Sequence, residues 1–254
     1  MLQINSKTLL VDADGLVYRC GFAADKKKYV ARSDAGTIAE FTSKRELDKW
    51  IKEYMDSTEG KEELEVDYLL IPEPLSFALQ NVSTVIDALS DRFPDCSMEF
   101  YIGGEDNFRN KLATILPYKG NRSEFAKPTH YADIRSYLVK RYNAQKVDGQ
   151  ETDDMLGIRA TELGDSCVIV TTDKDLDTIP GWHFNWVKKD LYYVKEADSY
   201  RAFYSQLLTG DDTDNIPGLE GVGPKTAAKI LKGFNSPRGM WQAVLAEYAT
   251  RCPD

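Results

Sequence analysis

Apolar residues in this chain fall into short runs separated by longer stretches of helical periodicity. Thr8 to Val11, Met98 to Ile102 and Cys167 to Thr171 read as buried strands. Between them, Ser43 and Glu46 form a capping-box pattern that opens a helix through Leu47, Trp50, Ile51 and Tyr54. Pro74 begins another, with apolar positions at Leu75, Leu79, Val82, Ile86 and Leu89. Thr129 to Tyr142 is a long amphipathic helix. Thr152 or Asp153 caps the next, which runs to Leu163 and stops at Gly164. Lys28 to Arg32 and Thr37 to Phe41 flank a four-residue hairpin loop, and Phe184 to Val187 pairs with Tyr192 to Val194. Helices follow over 196–208, 224–231 and 236–249. Residues 56–65 are polar and read as an exposed loop. Over 107–126 no periodicity persists, and aromatic residues alternate with basic ones, as in a mobile or substrate-ordered segment. Strands separated by helices predict an α/β fold with a parallel sheet, whose ligands sit at the carboxyl ends of the strands.

Composition changes this picture little. The chain has 254 residues, 42% of them hydrophobic and 11% aromatic, enough for one large α/β domain with or without a small appendage. No run of 18 apolar residues and no signal pattern appears, so a soluble, cytoplasmic protein without membrane contact is expected. Cys20, Cys96, Cys167 and Cys252 lack metal-ligand spacing and read as free thiols, and with only His130 and His183 zinc is not expected.

Charge is more informative. The net charge of −9 taken alone argues against a nucleic-acid partner. It is segregated, however: between Glu105 and Lys146 nine Lys and Arg face four acids. The acids elsewhere come in clusters at strand ends and helix starts: Asp12, Glu151-Thr-Asp-Asp154, Asp173-Lys-Asp175 and Asp211-Asp-Thr-Asp214. Taken singly, each reads as capping or a solvated surface. Brought together they would repel strongly, and oxygen-only ligation suits magnesium or manganese. Two such cations can promote in-line attack on a phosphodiester without a protein nucleophile, and no Ser/His/Asp or Cys/His arrangement competes for the role.

Two further patterns agree. In Gly218-Leu-Glu-Gly-Val-Gly-Pro-Lys225, Gly221 and Gly223 permit a tight turn and Pro224 suits a helix start. Backbone amides there could hold a phosphate, with Lys225 or Lys229 adding charge. In Phe108-Arg109 and Pro117-Tyr-Lys-Gly-Asn-Arg122, basic residues could neutralise phosphates while Tyr118 stacks on an unpaired base.

Together these blocks, in this order over most of residues 8–235, resemble the 5′-nuclease family: flap endonucleases, bacteriophage 5′→3′ exonucleases and the 5′-nuclease domain of bacterial DNA polymerase I. The resemblance implies a PIN-like, mostly parallel sheet flanked by helices over 1–195, with a basic arch or clamp near 105–146. A helix–three-turn–helix DNA-binding element would lie within 196–254. It implies one divalent cation near Asp12, Glu151, Asp153 and Asp154, and a second near Asp173, Asp175, Asp211 and Asp214. Arg109, Lys119 and Arg122 would orient the scissile phosphate. Gly221, Gly223, Lys225 and Lys229 would grip the duplex backbone, where a monovalent cation such as K+ can also sit. The family offers an Asp after the strand that here ends at Ile102. This chain has Gly103-Gly-Glu-Asp106 instead, so Glu105 or Asp106 is expected to take that place. The implied substrate is DNA with a free 5′ end or flap, or an RNA–DNA hybrid, in phage replication or recombination alongside replication proteins, in the host cytoplasm. The competing readings are an inactive DNA-binding module of the same fold and a PIN-type ribonuclease.

Overall fold

The computed structural model describes residues 8–34, 36–57, 64–122 and 126–252. In chain order the elements are β1 (Thr8–Asp12), α1 (Ala13–Ala24), β2 (Asp25–Ser33), β3 (Gly36–Phe41), α2 (Lys44–Ser57), β4 (Glu65–Pro72), α3 (Leu75–Arg92) and β5 (Ser97–Asn107). They continue with α4 (Arg109–Leu112), α5 (Tyr131–Tyr142), β6 (Gln145–Gly149), α6 (Thr152–Leu163), β7 (Cys167–Val170), β8 (Gly181–Asn185) and β9 (Asp190–Val194). The chain closes with α7 (Glu196–Thr209), β10 (Gly210–Asp211), β11 (Ile216–Pro217), α8 (Pro224–Ile230) and α9 (Pro237–Arg251). Two compact units result: 1–16, 85–126 and 135–254 form one, and 17–84 with 127–134 form the other.

The first unit is built on a six-stranded sheet of order β6-β5-β1-β7-β8-β9, parallel except for β9. The expected parallel α/β sheet is therefore present. Strand β1 is central because Leu9, Leu10 and Val11 are apolar on both faces and fully buried, each contributing roughly 1.5–3 kcal/mol. Val11 lies beside Val170 and Asp12 beside Tyr101, so the ends of β1, β5 and β7 open on one edge of the sheet. Leu10, Tyr101, Val147, Leu156, Ala160, Ile169 and Leu176 pack together as a core between the sheet and α6. A second cluster, Leu208, Leu219, Val222, Ala227, Leu231, Met240 and Val244, holds α7, α8 and α9 together.

The second unit carries a three-stranded antiparallel sheet of order β3-β2-β4. The expected hairpin is β2–β3. Strand β4 was not expected, and part of the loop predicted over 56–65 lies outside the described residues. The pattern at α2 is half realised: Ser43 Oγ accepts the Glu46 N–H at 3.3 Å, but the Glu46 carboxylate takes the Thr42 hydroxyl instead of closing the box. Trp50 and Tyr54 stack along this helix, and Phe41 of β3 packs tilted against Trp50. Helix α3 buries Ala78, Val82, Ile86 and Leu89, one stripe at helical spacing.

Both histidines serve the fold. His130 Nε2 meets the Glu73 carbonyl at 2.7 Å, and fully buried His183 meets that of Ile179 at 2.9 Å. None of the four cysteines is in a disulfide. Among the described residues no helix is long and apolar enough to cross a membrane.

Candidate active site

Asp12 is the innermost acid of the site. It ends β1 with 7% of its surface exposed, Oδ1 accepting the Gly15 N–H at 3.2 Å and Oδ2 the Thr171 hydroxyl at 3.1 Å. Burial, then the charge of Asp14, pushes its pKa up to about 6 despite those hydrogen bonds. Thr171, just past β7, also accepts the Asp173 N–H at 3.0 Å, which ties the second acid to the first.

The next acids come from the first turn of α6. Asp153 is half-buried with Asp12, Asp173 and Glu151 around it. Burial and then these three charges raise its pKa to about 8, and Lys119 offsets only part of that. Asp154 turns the other way. It accepts the Glu151 N–H at 3.1 Å and is gripped in a bidentate pair by Arg109, at 2.5 and 2.7 Å, which holds its pKa below the ordinary range. Burial would raise Glu151, but hydrogen bonds from Lys119 at 2.5 Å and Tyr118 at 2.6 Å outweigh it and leave the pKa lowered.

The remaining acids face this group from two loops. Asp173 Oδ1 accepts the Asp175 N–H at 2.9 Å, and Asp175 accepts Gln206 at 3.0 Å. Burial first, then Asp173 and Asp211, raises the Asp175 pKa. Asp211 Oδ1 accepts the Thr213 and Asp214 N–H groups, closing the 211–214 turn. That turn is set by Gly210 and Gly218. A Cβ on Gly210, at φ +69°, would lie 2.2 Å from the Gly218 nitrogen, so only a side-chain-free residue fits.

The segment without periodicity is pinned to the same turn. Lys119 N–H donates to the Asp214 carbonyl at 2.9 Å, Asn121 to that of Asp212 at 2.6 Å, and Asn215 to that of Pro117 at 2.9 Å. Lys119 takes φ +53°, a left-handed conformation. Tyr118 turns inward: its hydroxyl lies 2.6 Å from Glu151 and 2.8 Å from Asp214, and with one proton it donates to one at a time. Its phenol, expected to stack on a base, here links two carboxylates.

Not every expected residue joins. Strand β5 continues to Asn107, with a register shift against β6 between Gly103 and Asn107, and carries Glu105 and Asp106 into solvent. There Asp106 accepts the Asn107 N–H and lies 3.8 Å from Lys111, while the Glu105 N–H donates to Asp148. Arg122 ends a short 3-10 turn, and its side chain lies outside the described residues. Gly221, at φ +71°, precedes Gly223, which caps α8, and Lys225 and Lys229 are exposed on that helix, within the α7–α9 cluster. The sequence gives no site role to Thr171, Thr152 or Asp14. Hydroxyls near strand ends give no signal until the register is known.

The donor set is all carboxylate oxygen, the chemistry that suits a hard divalent cation, and the raised pKa values of Asp12 and Asp153 mark a local deficit of positive charge. As placed, no three His, Cys, Asp or Glu side chains among the described residues are grouped to hold a metal ion. Arg109 and Lys119 lie on Glu151, Asp154 and Asp214 instead.

No family model matches the chain. It is 33% identical over 124 residues to the flap endonuclease Xni of Shewanella piezotolerans, covering 44% of this chain and 49% of that protein. It is 29% identical over 160 residues to a 5′-3′ exonuclease of Buchnera aphidicola, covering 55% and 51%. It is 26% identical over 169 residues to DNA polymerase I of Bacillus caldotenax, covering 58% of this chain and 19% of that protein. The chain thus spans about half the length, or less, of these relatives. Among solved structures, the bacteriophage T5 flap endonuclease in a pseudo-enzyme-product complex with DNA and metal ions superposes with a TM-score of 0.59 at 16% identity, over 96% of this chain and 85% of that one. The T5 5′-exonuclease with bound zinc gives 0.54 at 19% identity, over 95% and 84%. The chain is thus similar in sequence, over these segments, to flap endonucleases and 5′→3′ exonucleases, and shares its fold with the T5 structures over nearly its whole length.

Proposed function

We propose that the protein hydrolyses phosphodiester bonds at DNA 5′ ends or 5′ flaps with the help of two divalent cations, Mg2+ or Mn2+. One observation carries the reading: acids from β1, α6, the 173–175 loop and the 211–214 turn converge at one edge of the sheet, with Lys119 and Arg109 laid on them. Asp12, Asp153 and Asp173, with Glu151, would hold one cation, and Asp175, Asp211 and Asp214 the other. Such cations supply Lewis-acid polarisation of a phosphoryl group and a more acidic water.

The chain's own residues do the rest. Lys119, whose ammonium rests on Glu151, would pass to the scissile phosphate, and Arg109 fixes Asp154 and with it the first turn of α6. Arg122 is proposed to assist from the same segment. Gly221, Gly223, Lys225 and Lys229 would meet the duplex backbone as part of a helix–three-turn–helix element, with a monovalent cation such as K+ at the turn. DNA in replication or recombination, including an RNA–DNA hybrid, is the proposed substrate class.

The test is a time course on 5′-labelled flap, nicked duplex and RNA–DNA hybrid, with Mg2+, Mn2+ or chelator. Metal-dependent release of label, lost in Asp173→Asn with DNA binding retained, is expected. Metal-independent binding with no cleavage of any substrate would overturn the reading in favour of an inactive DNA-binding module. Cleavage of RNA alone would favour a ribonuclease.

A further inference from the structure

We infer that Asp14 is a positioning residue: its carboxylate locks the first turn of α6, and so Asp153, against the ends of β1 and β5, standing where a side chain of β5 would otherwise project. The inference rests on the hydrolytic function proposed above.

Asp14 follows Asp12 by two residues, in the first turn of α1, yet its side chain faces three other elements. Oδ2 accepts the Gly103 N–H at 2.8 Å and the Thr152 hydroxyl at 2.7 Å. Oδ1 accepts Arg135 Nη1 at 3.0 Å, and the second nitrogen of that guanidinium donates to the Gly103 carbonyl. A closed ring results, in which one residue of β5 is read at its N–H by Asp14 and at its carbonyl by Arg135. Both charged side chains are largely shielded, at 29% and 19% exposure, so the ring is not a loose surface pair.

Gly103 is the other half of this arrangement. A Cβ built there would lie 3.1 Å from Asp14 Oδ2 and 3.4 Å from Thr152 Oγ1. At Gly104 a Cβ would fall 1.8 Å from Asp148 Oδ1. A side chain at Gly104 would also run into the Val147 carbonyl at 2.7 Å, while one at Gly103 would need Asp14 to give by a few tenths of an ångström. The carboxylate that stands over β5 at Gly103 is delivered from α1.

The link to the site is Thr152. It opens α6, is buried at 6% exposure, and immediately precedes Asp153. Its hydroxyl is the handle by which Asp14 sets the height of that turn relative to Asp12, and a displacement of about 1 Å there is enough to cost on the order of 100-fold in rate.

The experiment is a double-mutant cycle with Asp14→Asn and Thr152→Val, with Thr152→Ser as the conservative variant. Readouts are kcat and KM on a 5′-flap substrate, the Mg2+ concentration for half-maximal rise in Tm without DNA, and Tm in chelator. Asn at position 14 keeps one acceptor but sets an amide against Arg135. Expected are a kcat loss of about 30- to 100-fold in Asp14→Asn and about 10-fold in Thr152→Val, with KM within about threefold. The double variant should be no worse than Asp14→Asn alone, because both changes break one chain of contacts. The Mg2+ midpoint should rise in both, while Thr152→Ser stays near wild type. Losses that multiply, or an Asp14→Asn enzyme within twofold of wild type in kcat and Mg2+ midpoint, would overturn the inference. If Asp14→Asn does not fold, Thr152→Val against Thr152→Ser decides alone: equal kcat and Mg2+ midpoint in the two would overturn it. Wild type run alongside keeps the two proposals apart, since absence of cleavage there would sink the function while the metal and Tm readouts still test the lock.

Discussion

Replacing Asp153 with Asn should stabilise the metal-free protein at alkaline pH while removing its activity. The Asp153 carboxyl is ringed by Asp12, Asp173 and Glu151, and burial with these charges raises its pKa from 3.8 to about 8. Folded protein therefore holds a proton that unfolded chain has already lost. The contribution of this group favours folding fully below about pH 4 and fades as pH rises through 8. Taken whole, a change of that size corresponds to about 6 kcal/mol. Asp153 is only half-buried, and solvent screening brings the figure to about 2 kcal/mol. Asn keeps the shape and removes the charge, giving up only about 0.5 kcal/mol of helix-dipole stabilisation. For a chain of this size the net gain of about 1.5 kcal/mol amounts to about 3–6 °C in Tm. The assay is thermal unfolding followed by circular dichroism in chelator at pH 5, 6.5 and 8. The variant should melt within about 2 °C of wild type at pH 5, and about 3–6 °C above it at pH 8. Mg2+ should narrow the gap at pH 8 by stabilising wild type more. A difference independent of pH, or a variant less stable than wild type at pH 8, would refute the electrostatic account.

Other changes give equally definite expectations. Lys119→Met should cut kcat by about 100- to 1,000-fold by removing the cation on Glu151, with the circular dichroism spectrum unchanged; activity within threefold of wild type would exclude Lys119 from the reaction. Gly210→Ala places a methyl 2.2 Å from the Gly218 nitrogen and should cost about 3 kcal/mol or more in urea unfolding, with loss of activity as the 211–214 turn shifts. Leu156→Ala, fully buried beneath α6, should cost about 2–5 kcal/mol, and a loss under 1 kcal/mol would mean that the core described around it is wrongly drawn. Arg109→Lys keeps a charge but cannot form the bidentate pair with Asp154; a drop in kcat of about tenfold at unchanged Tm is expected from single-turnover kinetics.

What the sequence disclosed depended on whether a pattern had one physical cause. Strands β1, β5 and β7 were legible because an apolar run between turn residues in an α/β chain has little other use. Strand β6 was not, since only Val147 of its five residues is buried. Strand β4 escaped for the opposite reason: its apolar residues, Val66 and Tyr68 to Ile71, are exposed on both faces, so burial imposes no alternation. At the site, Asp12, Asp153 and Asp173 could be read from their places after strands and at a helix start. The expectation for Glu105 and Asp106 assumed that β5 stopped at Ile102; its extension past a register shift takes them elsewhere. The contacts of Asp14 and of the Tyr118 hydroxyl could not be read from the sequence. Each depends on which distant backbone or carboxylate lies across from it, and a lone acid or a tyrosine among basic residues is compatible with many neighbours.

Three hydrogen bonds to main-chain carbonyls, one from a backbone N–H and two from asparagine side chains, staple 117–121 to 211–215. Pro117, Lys119 and Asn121 are joined to Asp212, Asp214 and Asn215 through carbonyls, not through side-chain charge alone. Neither stretch can shift without dragging the other along. Displacing Lys119 would therefore displace the 211–214 acids with it, so the cation and the carboxylates it faces behave as one coupled piece.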